Sequence, residues 1–372
     1  MRILFVCGSL EPGHDGVGDY TRELAGALSH LEGVEAQIIS IQDRSADGVK
    51  EEIQNSRNNK VKVKRLDEKL SFNIRRDAYR QFVEDFKPDW ISLQYVPFAF
   101  STRGLPFDLL RFLSLKNDAV KWHFMIHEAY VWYNLNTKRK ILKHLEIRIL
   151  KKLVRKLNPR VIHTTNRFYQ KLLQDISIAS DRMGLFGNIA ILNNAESIEK
   201  SEVKQGIFFG AGPVSNHFSK FSEGIKNLMV QSPQPLKIVF CGRPDFRTND
   251  FVKHLKSEFS SLNVEIEEIG ALENEALSRL LLQSHFGISR EPPQIMGKSG
   301  TVAVMLEHGL PLWVPLAENE DSLKNALDFR IEQCIIDLNE IFEINADRQF
   351  LPKSRIEEIS NQFYTSLQNI AE

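Results

Sequence analysis

The stretch Arg2-Ile-Leu-Phe-Val-Cys7, then Gly8-Ser-Leu-Glu-Pro-Gly13-His-Asp-Gly16-Val-Gly18, then Asp19-Tyr-Thr-Arg-Glu-Leu-Ala-Gly-Ala-Leu-Ser-His30 decides the fold. Its apolar run reads as a buried strand, and Tyr20, Leu24 and Leu28 recur every four residues as one face of a helix. A short strand passing through a glycine turn into a helix is the opening unit of a parallel α/β fold. Working outward, the same reading places strands at 36–41, 90–93, 121–126, 161–163 and 189–192. Helices are expected near 76–86 and 137–157, the second stopped by Asn158-Pro159. The pattern lapses into a polar stretch at 193–204, the expected linker, and restarts with strands at 206–209, 236–241, 264–266, 286–289 and 311–314. Helices at 221–230, 250–260, 273–282, 300–308 and from 354 alternate with them. One βα architecture therefore occurs twice. The expected fold is α/β, with two doubly wound Rossmann-like domains and ligands at the carboxyl ends of strands facing an interdomain cleft. The expected domains are 1–195 and 205–350, with a C-terminal helix at 351–372 packing back on the first.

Composition agrees. The chain has 372 residues, 42% hydrophobic and 26% charged, which exceeds one compact core and excludes disordered, collagen-like and coiled-coil classes. Its apolar runs fall far short of the ~20 residues that span a bilayer, and Met1-Arg2 leads straight into the first strand without a signal-peptide pattern. Cys7, Cys241 and Cys334 are odd in number and scattered, so a reducing, cytoplasmic location is expected, with neither disulfide nor zinc. The net charge of zero hides an asymmetry: residues 1–200 carry 32 Lys+Arg against 24 Asp+Glu, and the remainder 16 against 24.

Gly16, Val17 and Gly18 lie where a helix opens, and glycines there let a ligand approach the backbone while the first N–H groups face a phosphate. The spacing is not the dinucleotide G-x-G-x-x-G fingerprint. With no Asp-x-Asp pair in a suitable loop, no metal site is expected, and no G-x-S-x-G motif supports a serine hydrolase.

Gly16-Val-Gly-Asp-Tyr-Thr-Arg-Glu-Leu-Ala25 resembles the N-terminal signature of the retaining glycosyltransferase family 4, the group 1 glycosyltransferases, which have the GT-B fold. Phe208-Phe-Gly-Ala-Gly212 followed by Lys220 is similar to the start of that family's donor domain. The segment from Gly287 to Thr301, closing with Met305-Leu-Glu-His-Gly-Leu-Pro311, resembles its donor-binding strand, loop and helix. The resemblance implies transfer of a sugar from a nucleotide-diphosphate-sugar donor to a glycan, lipid-linked or small-molecule acceptor, with retained configuration and without metal or other cofactor. The chain also departs from the family. Anchored on Gly309-Leu310-Pro311, the two family glutamates fall on Met296 and Val304, and the usual arginine falls on Ala211.

A leaving nucleoside diphosphate gains negative charge, so fixed cations and helix dipoles must face it. Lys298 beside Ser299-Gly300 is the first candidate, then Arg290, Lys220 and Arg243, with Glu291 and Glu307 as the nearby acids. Lys298, Glu291 and His127 are the catalytic candidates, and Glu307 is a candidate donor ligand. The resemblance implies a strand-end histidine near the transferred sugar, which is His127; an imidazole bonded only to backbone is the plainer reading. Tyr95 and Tyr130 follow strand ends and suit an acceptor wall, or else fold over the core. Ten Lys/Arg lie between Lys138 and Arg160 against Glu146 alone. They are expected to meet an anionic membrane surface at the inner face or to remain a solvated helix face. No nucleic-acid module is visible, so no nucleic acid is expected. Two further readings stay open: a GT-B sugar-nucleotide epimerase, and a non-catalytic nucleotide-sugar-binding relative or partner subunit.

Overall fold

The computed structural model describes all residues except 58, 116–118, 133–135, 211–216, 244–245, 316–333, 344–350 and 371–372. Ala211, Gly212 and Tyr133 thus lie outside the described residues. The chain divides into two compact units: Met1–Gly184 joined by Ile356–Glu372, and Leu185–Arg355.

The first unit is built on β1 (Arg2–Cys7), β2 (Glu35–Asp43), β3 (Val49–Ser56), β4 (Asn59–Asp67), β5 (Trp90–Tyr95), β6 (Lys121–Ile126), β7 (Val161–Thr164) and β8 (Asp181–Arg182). They form one eight-stranded sheet in the order β3-β4-β2-β1-β5-β6-β7-β8. All pairs are parallel except β3 with β4. Its helices are α1 (Gly16–Leu28), α2 (Phe72–Phe86), α3 (Pro97–Phe100), α4 (Leu109–Leu113), α5 (Thr137–Leu157) and α6 (Arg167–Asp175). The central strand β1 has five of its six residues buried, as a strand covered on both faces requires. The β3–β4 hairpin was not expected: in Asn59-Lys-Val-Lys-Val-Lys64 valines alternate with lysines, Val61 and Val63 being buried while Lys60 and Lys62 stay exposed. Residues 189–192, expected as a strand, carry no regular structure. The C-terminal helix, Ile356–Gln368, returns to this unit; its Phe363 stacks on Phe5 at 5.6 Å and meets the His123 ring edge-on at 4.8 Å.

Helix α5 spans the expected residues. Ile149, Leu150 and Leu153 are buried, and so is Glu146, whereas Leu142, Leu145 and Leu157 are only half-buried. Glu146 is therefore not part of the solvated face that its charge implied. Its Oε2 accepts the Val131 N–H at 2.8 Å, while Oε1 has no hydrogen-bond partner. Burial, and secondarily the charge of Glu128, pushes its carboxyl up to about 7.

The second unit is a five-stranded parallel sheet of β9 (Lys204–Phe209), β10 (Leu236–Cys241), β11 (Val264–Gly270), β12 (Phe286–Ile288) and β13 (Leu312–Trp313), in the order β11-β10-β9-β12-β13. Its helices are α7 (His217–Gln231), α8 (Phe246–Glu258), α9 (Asn274–Gln283) and α10 (Gly300–Glu307). One cluster packs Phe221, Phe240, Phe251 and Trp313 together. Another holds Ile207, Leu281, Met296, Val304 and Leu310. The stretch expected as a linker is bound to this unit: the Ser201 N–H donates to Gln283 O at 2.9 Å and Lys200 Nζ to Ser284 O at 2.6 Å.

Candidate functional site: strand ends in each unit

In the second unit, three glycines end three adjacent strands. Gly210, Gly242 and Gly270 have φ of 113°, 155° and 80°, in the region that side chains disfavour. Gly210 N–H donates to Cys241 O, and Gly242 N–H to Gly270 O, both at 2.9 Å. A Cβ on Gly242 would stand 2.4 Å from Gly210 O, so these turns must stay bare. The β10–β11 ladder slips between Phe240↔Glu268 and Cys241↔Gly270, leaving Ile269 as an extra residue. Such a slip re-aims the chain at a sheet rim. With Arg243, Thr248 and Glu268, the glycines line a small, shallow hollow of about 10 Å³. Arg243 thus lies in a formed hollow with a carboxylate and a hydroxyl. Glu268 was missed because β11 was read as ending at 266; it runs to Gly270.

The N-terminus of α10 adjoins the same rim, since a Cβ on Gly210 would meet the Thr301 Cγ2 at 3.0 Å. Ser299 is the N-cap but makes no side-chain cap bond; its Oγ pairs with Thr301 Oγ1 at 3.0 Å. Lys298 ends the preceding 3-10 turn Pro293–Lys298, and Gly300 is exposed. A helix start with a lysine and two hydroxyls is chemically suited to an anion. Arg290 and Glu291 follow β12 and pair with each other, Nε to Oε1, at 3.1 Å. Lys220 lies in the first turn of α7, half-buried.

Glu307 corrects one expectation. It sits at the far end of α10, about 10 Å by helix rise from the Gly300 start, and is buried. Its Oε1 accepts the Arg355 N–H at 3.0 Å and its backbone O the Lys353 N–H at 2.8 Å. It anchors the returning chain and is not placed to hold a donor. Met296 and Val304, where the family resemblance expects glutamates, are fully buried core residues. A carboxylate there would be an unpaired buried charge.

In the first unit the glycine loop is already occupied by carboxylates. Asp15 caps α1 and accepts the Gly18 N–H at 2.6 Å. Asp19 accepts the Gly13 N–H at 2.9 Å and pairs with Arg22, and Asp43 accepts the Leu10 N–H at 3.0 Å. Of the N–H groups of Gly16, Val17 and Gly18 that were expected to face a phosphate, that of Gly18 is already taken by Asp15, whose charge would repel a second anion. Burial, the largest cause, raises the Asp15 carboxyl. Gly18 is glycine because Ser9 O would lie 2.6 Å from its Cβ, while nothing lies near Gly16.

His127 directly follows β6, 6% exposed, with its ring edge-on to Tyr20 at 5.1 Å. Its N–H donates to Tyr95 O at 3.0 Å, and its Nε2 meets Gln94 Oε1 at 3.0 Å. Tyr95 is fully buried against Phe100, and Tyr130 is buried with its hydroxyl donating to Leu172 O at 3.0 Å. Neither forms an acceptor wall; both are folded over the core.

No family profile and no curated protein sequence matches the chain. Solved structures do, over nearly their whole length. Sucrose-phosphate synthase from Thermosynechococcus elongatus aligns at 15% identity with a TM-score of 0.61, covering 100% of this chain and 99% of that one. Anabaena HepE in complex with UDP and glucose gives 13% identity and 0.55, covering 100% and 98%. UDP-GlcNAc 2-epimerase from Methanocaldococcus jannaschii gives 12% and 0.53, covering 98% and 99%. The chain has the mixed α/β, Rossmann-like GT-B fold that these structures share.

Proposed function

We propose that the chain is a glycosyltransferase that moves a sugar from a nucleotide-diphosphate donor to an acceptor, with retention and without a metal. The observation that carries this reading is the bare glycine rim at Gly210, Gly242 and Gly270, adjoining the Lys298-Ser299-Gly300 helix start. Backbone that close and that unencumbered suits a flat ligand, and the helix start suits its phosphates. The second unit then holds the donor: Lys298, with Ser299 and Gly300, faces the diphosphate, and Arg290, held by Glu291, adds a second cation. Arg243 and Glu268 offer a donor and an acceptor to the nucleoside. Lys298 acts on the leaving group, where charge develops. In the first unit, His127 hydrogen-bonds a sugar hydroxyl. The acceptor is a glycan or a lipid-linked sugar, and the basic face of α5, with Ile141 exposed on it, gives this unit a surface suited to anionic lipid.

The apolar Met296 and Val304 favour a second reading, a nucleotide-sugar-binding relative without turnover. Melting shifts with UDP, GDP, ADP and dTDP, followed by product analysis on the matching sugar nucleotide, separate the readings. Transfer or hydrolysis supports the transferase, binding alone supports the second reading, and an epimerised donor supports an epimerase. Lys298→Ala is expected to weaken diphosphate binding by about 10- to 100-fold, the worth of one charged hydrogen bond. Undiminished affinity in that variant removes the phosphate assignment.

A further inference from the structure

Five polar side chains lie on one face of the first unit's sheet, sealed from water. Ser92 and Gln94 are two apart on β5, His123 is the β6 neighbour of Ser92, His163 lies on β7, and His127 follows β6. Ser92, Gln94 and His123 are fully buried, and His163 and His127 nearly so. Phe363 of the C-terminal helix covers His123. Burying this many polar atoms is unfavourable unless each finds a partner, and the five form one unbroken chain. His163 Nδ1 meets His123 Nε2 at 3.0 Å, and His123 Nδ1 meets Ser92 Oγ at 2.7 Å. Gln94 Nε2 donates to Ser92 Oγ at 2.7 Å, and Gln94 Oε1 meets His127 Nε2 at 3.0 Å.

The direction of the chain follows from which atoms can donate. An amide oxygen only accepts, so the proton between Gln94 and His127 sits on His127 Nε2. Ser92 Oγ receives the Gln94 amide, and among the described residues its own proton has one acceptor in reach, His123 Nδ1. The remaining His123 proton is then on Nε2, pointing at His163 Nδ1. Both buried rings are neutral near pH 7, since burial holds the His123 imidazole well below its usual value and that of His163 at about 4. Each of the four contacts in the chain therefore has one donor and one acceptor in this one direction.

We infer that Gln94 is the positioning residue for His127: backed by Ser92, His123 and His163, it holds the ring with its proton on Nε2 and makes Nδ1 the accepting atom. This rests on the reading that His127 bonds a sugar hydroxyl, for which a fixed acceptor nitrogen is what a hydroxyl donor needs. Proton flow along the chain is not part of the inference, because an amide does not relay protons.

The test is histidine-nitrogen NMR on the full chain, which reads tautomers directly. The wild-type protein should show His127, His123 and His163 all protonated on Nε2, with a slowly exchanging His127 Nε2–H. Gln94→Leu should lose that slow signal. In Gln94→Glu the carboxylate still accepts from His127 but takes the Ser92 proton, so Ser92 must accept from His123. His127 should keep Nε2–H while His123 moves its proton to Nδ1. A wild-type His127 protonated on Nδ1, or a slow signal that survives Gln94→Leu, overturns the inference whatever the variants do to stability. Turnover reports separately: sugar transfer unchanged in His127→Ala defeats the reading of His127 while leaving the tautomer result intact.

Discussion

The two units end their strands in opposite ways. In the first, the rim beside β1 and β6 is filled with side chains: Asp15, Asp19 and Asp43 tie down the glycine loop, and Gln94 holds His127. In the second, Gly210, Gly242 and Gly270 keep the rim bare, with Arg243 and Glu268 beside it and Thr301 of the α10 start against Gly210. Both rims belong to parallel βα sheets, so topology does not distinguish them. What differs is where backbone is exposed and which charge surrounds it. A glycine loop with free helix N–H groups is a phosphate site only if no nearby carboxylate has taken those groups first.

The sharpest way to break this comparison is to add one methyl group to each rim. Gly242→Ala faces both Gly210 O and a disfavoured φ, and should lose about 2–4 kcal/mol in urea unfolding. Gly18→Ala faces only Ser9 O and should lose about 1–3 kcal/mol. In the folded proteins, Gly242→Ala should abolish nucleotide-induced stabilisation and Gly18→Ala should preserve it. Equal loss of nucleotide binding in both would erase the distinction.

A second test concerns the carboxyl that the first unit buries without a full set of partners. The folded chain holds the Glu146 proton up to about pH 7, against 4.5 for an ordinary glutamate, because of burial. The unfolded chain releases that proton first, so this group costs stability as pH rises from about 4.5 through about 7. Glu146→Gln should leave stability at pH 4 nearly unchanged and raise it by about 1–3 kcal/mol at pH 8. Parallel stability curves for the two proteins would show that Glu146 is ionised in the fold.

The smallest effect is expected on the outer face of α5. Each lysine there should contribute about 1 kcal/mol to binding of anionic vesicles, less at high salt. Lys140→Gln should therefore weaken co-sedimentation by roughly five-fold. Equal binding of the wild-type chain to anionic and neutral vesicles would remove the lipid surface.

Much of this was legible in the sequence, in a particular way. Strands such as Arg2–Cys7, Lys121–Ile126 and Leu236–Cys241, and helix Thr137–Leu157, emerge with the boundaries that apolar spacing predicts. Buried parallel strands announce themselves by continuous apolar runs. The hairpin at Val49–Asp67 did not, because its edge strand Val49–Ser56, rich in Lys and Glu, has the composition of a loop. Lys298, Ser299, Arg290 and Arg243 could be singled out as candidates because strand ends and helix starts are local signals. Gln94, Ser92 and His163 were not, because the chain they form joins residues 31 and 40 positions apart that meet only once the strands pair. Glu146 was misread because charge was taken as a sign of exposure, and its burial is decided by contacts with Val131 and Gly104 that no helical period reveals.

The returning C-terminal helix has a consequence for how the chain is made. The first unit contains Met1–Gly184 but also needs Ile356–Glu372, whose Phe363 covers Phe5 and His123. Between those segments a ribosome must synthesise the whole second unit, which at ordinary elongation speeds takes roughly 10–30 s. During that interval the nascent first sheet shows solvent an uncovered apolar face and an unsealed row of histidines. The first unit is thus completed only after the second has been made, and any chaperone that attends this chain has its longest task there.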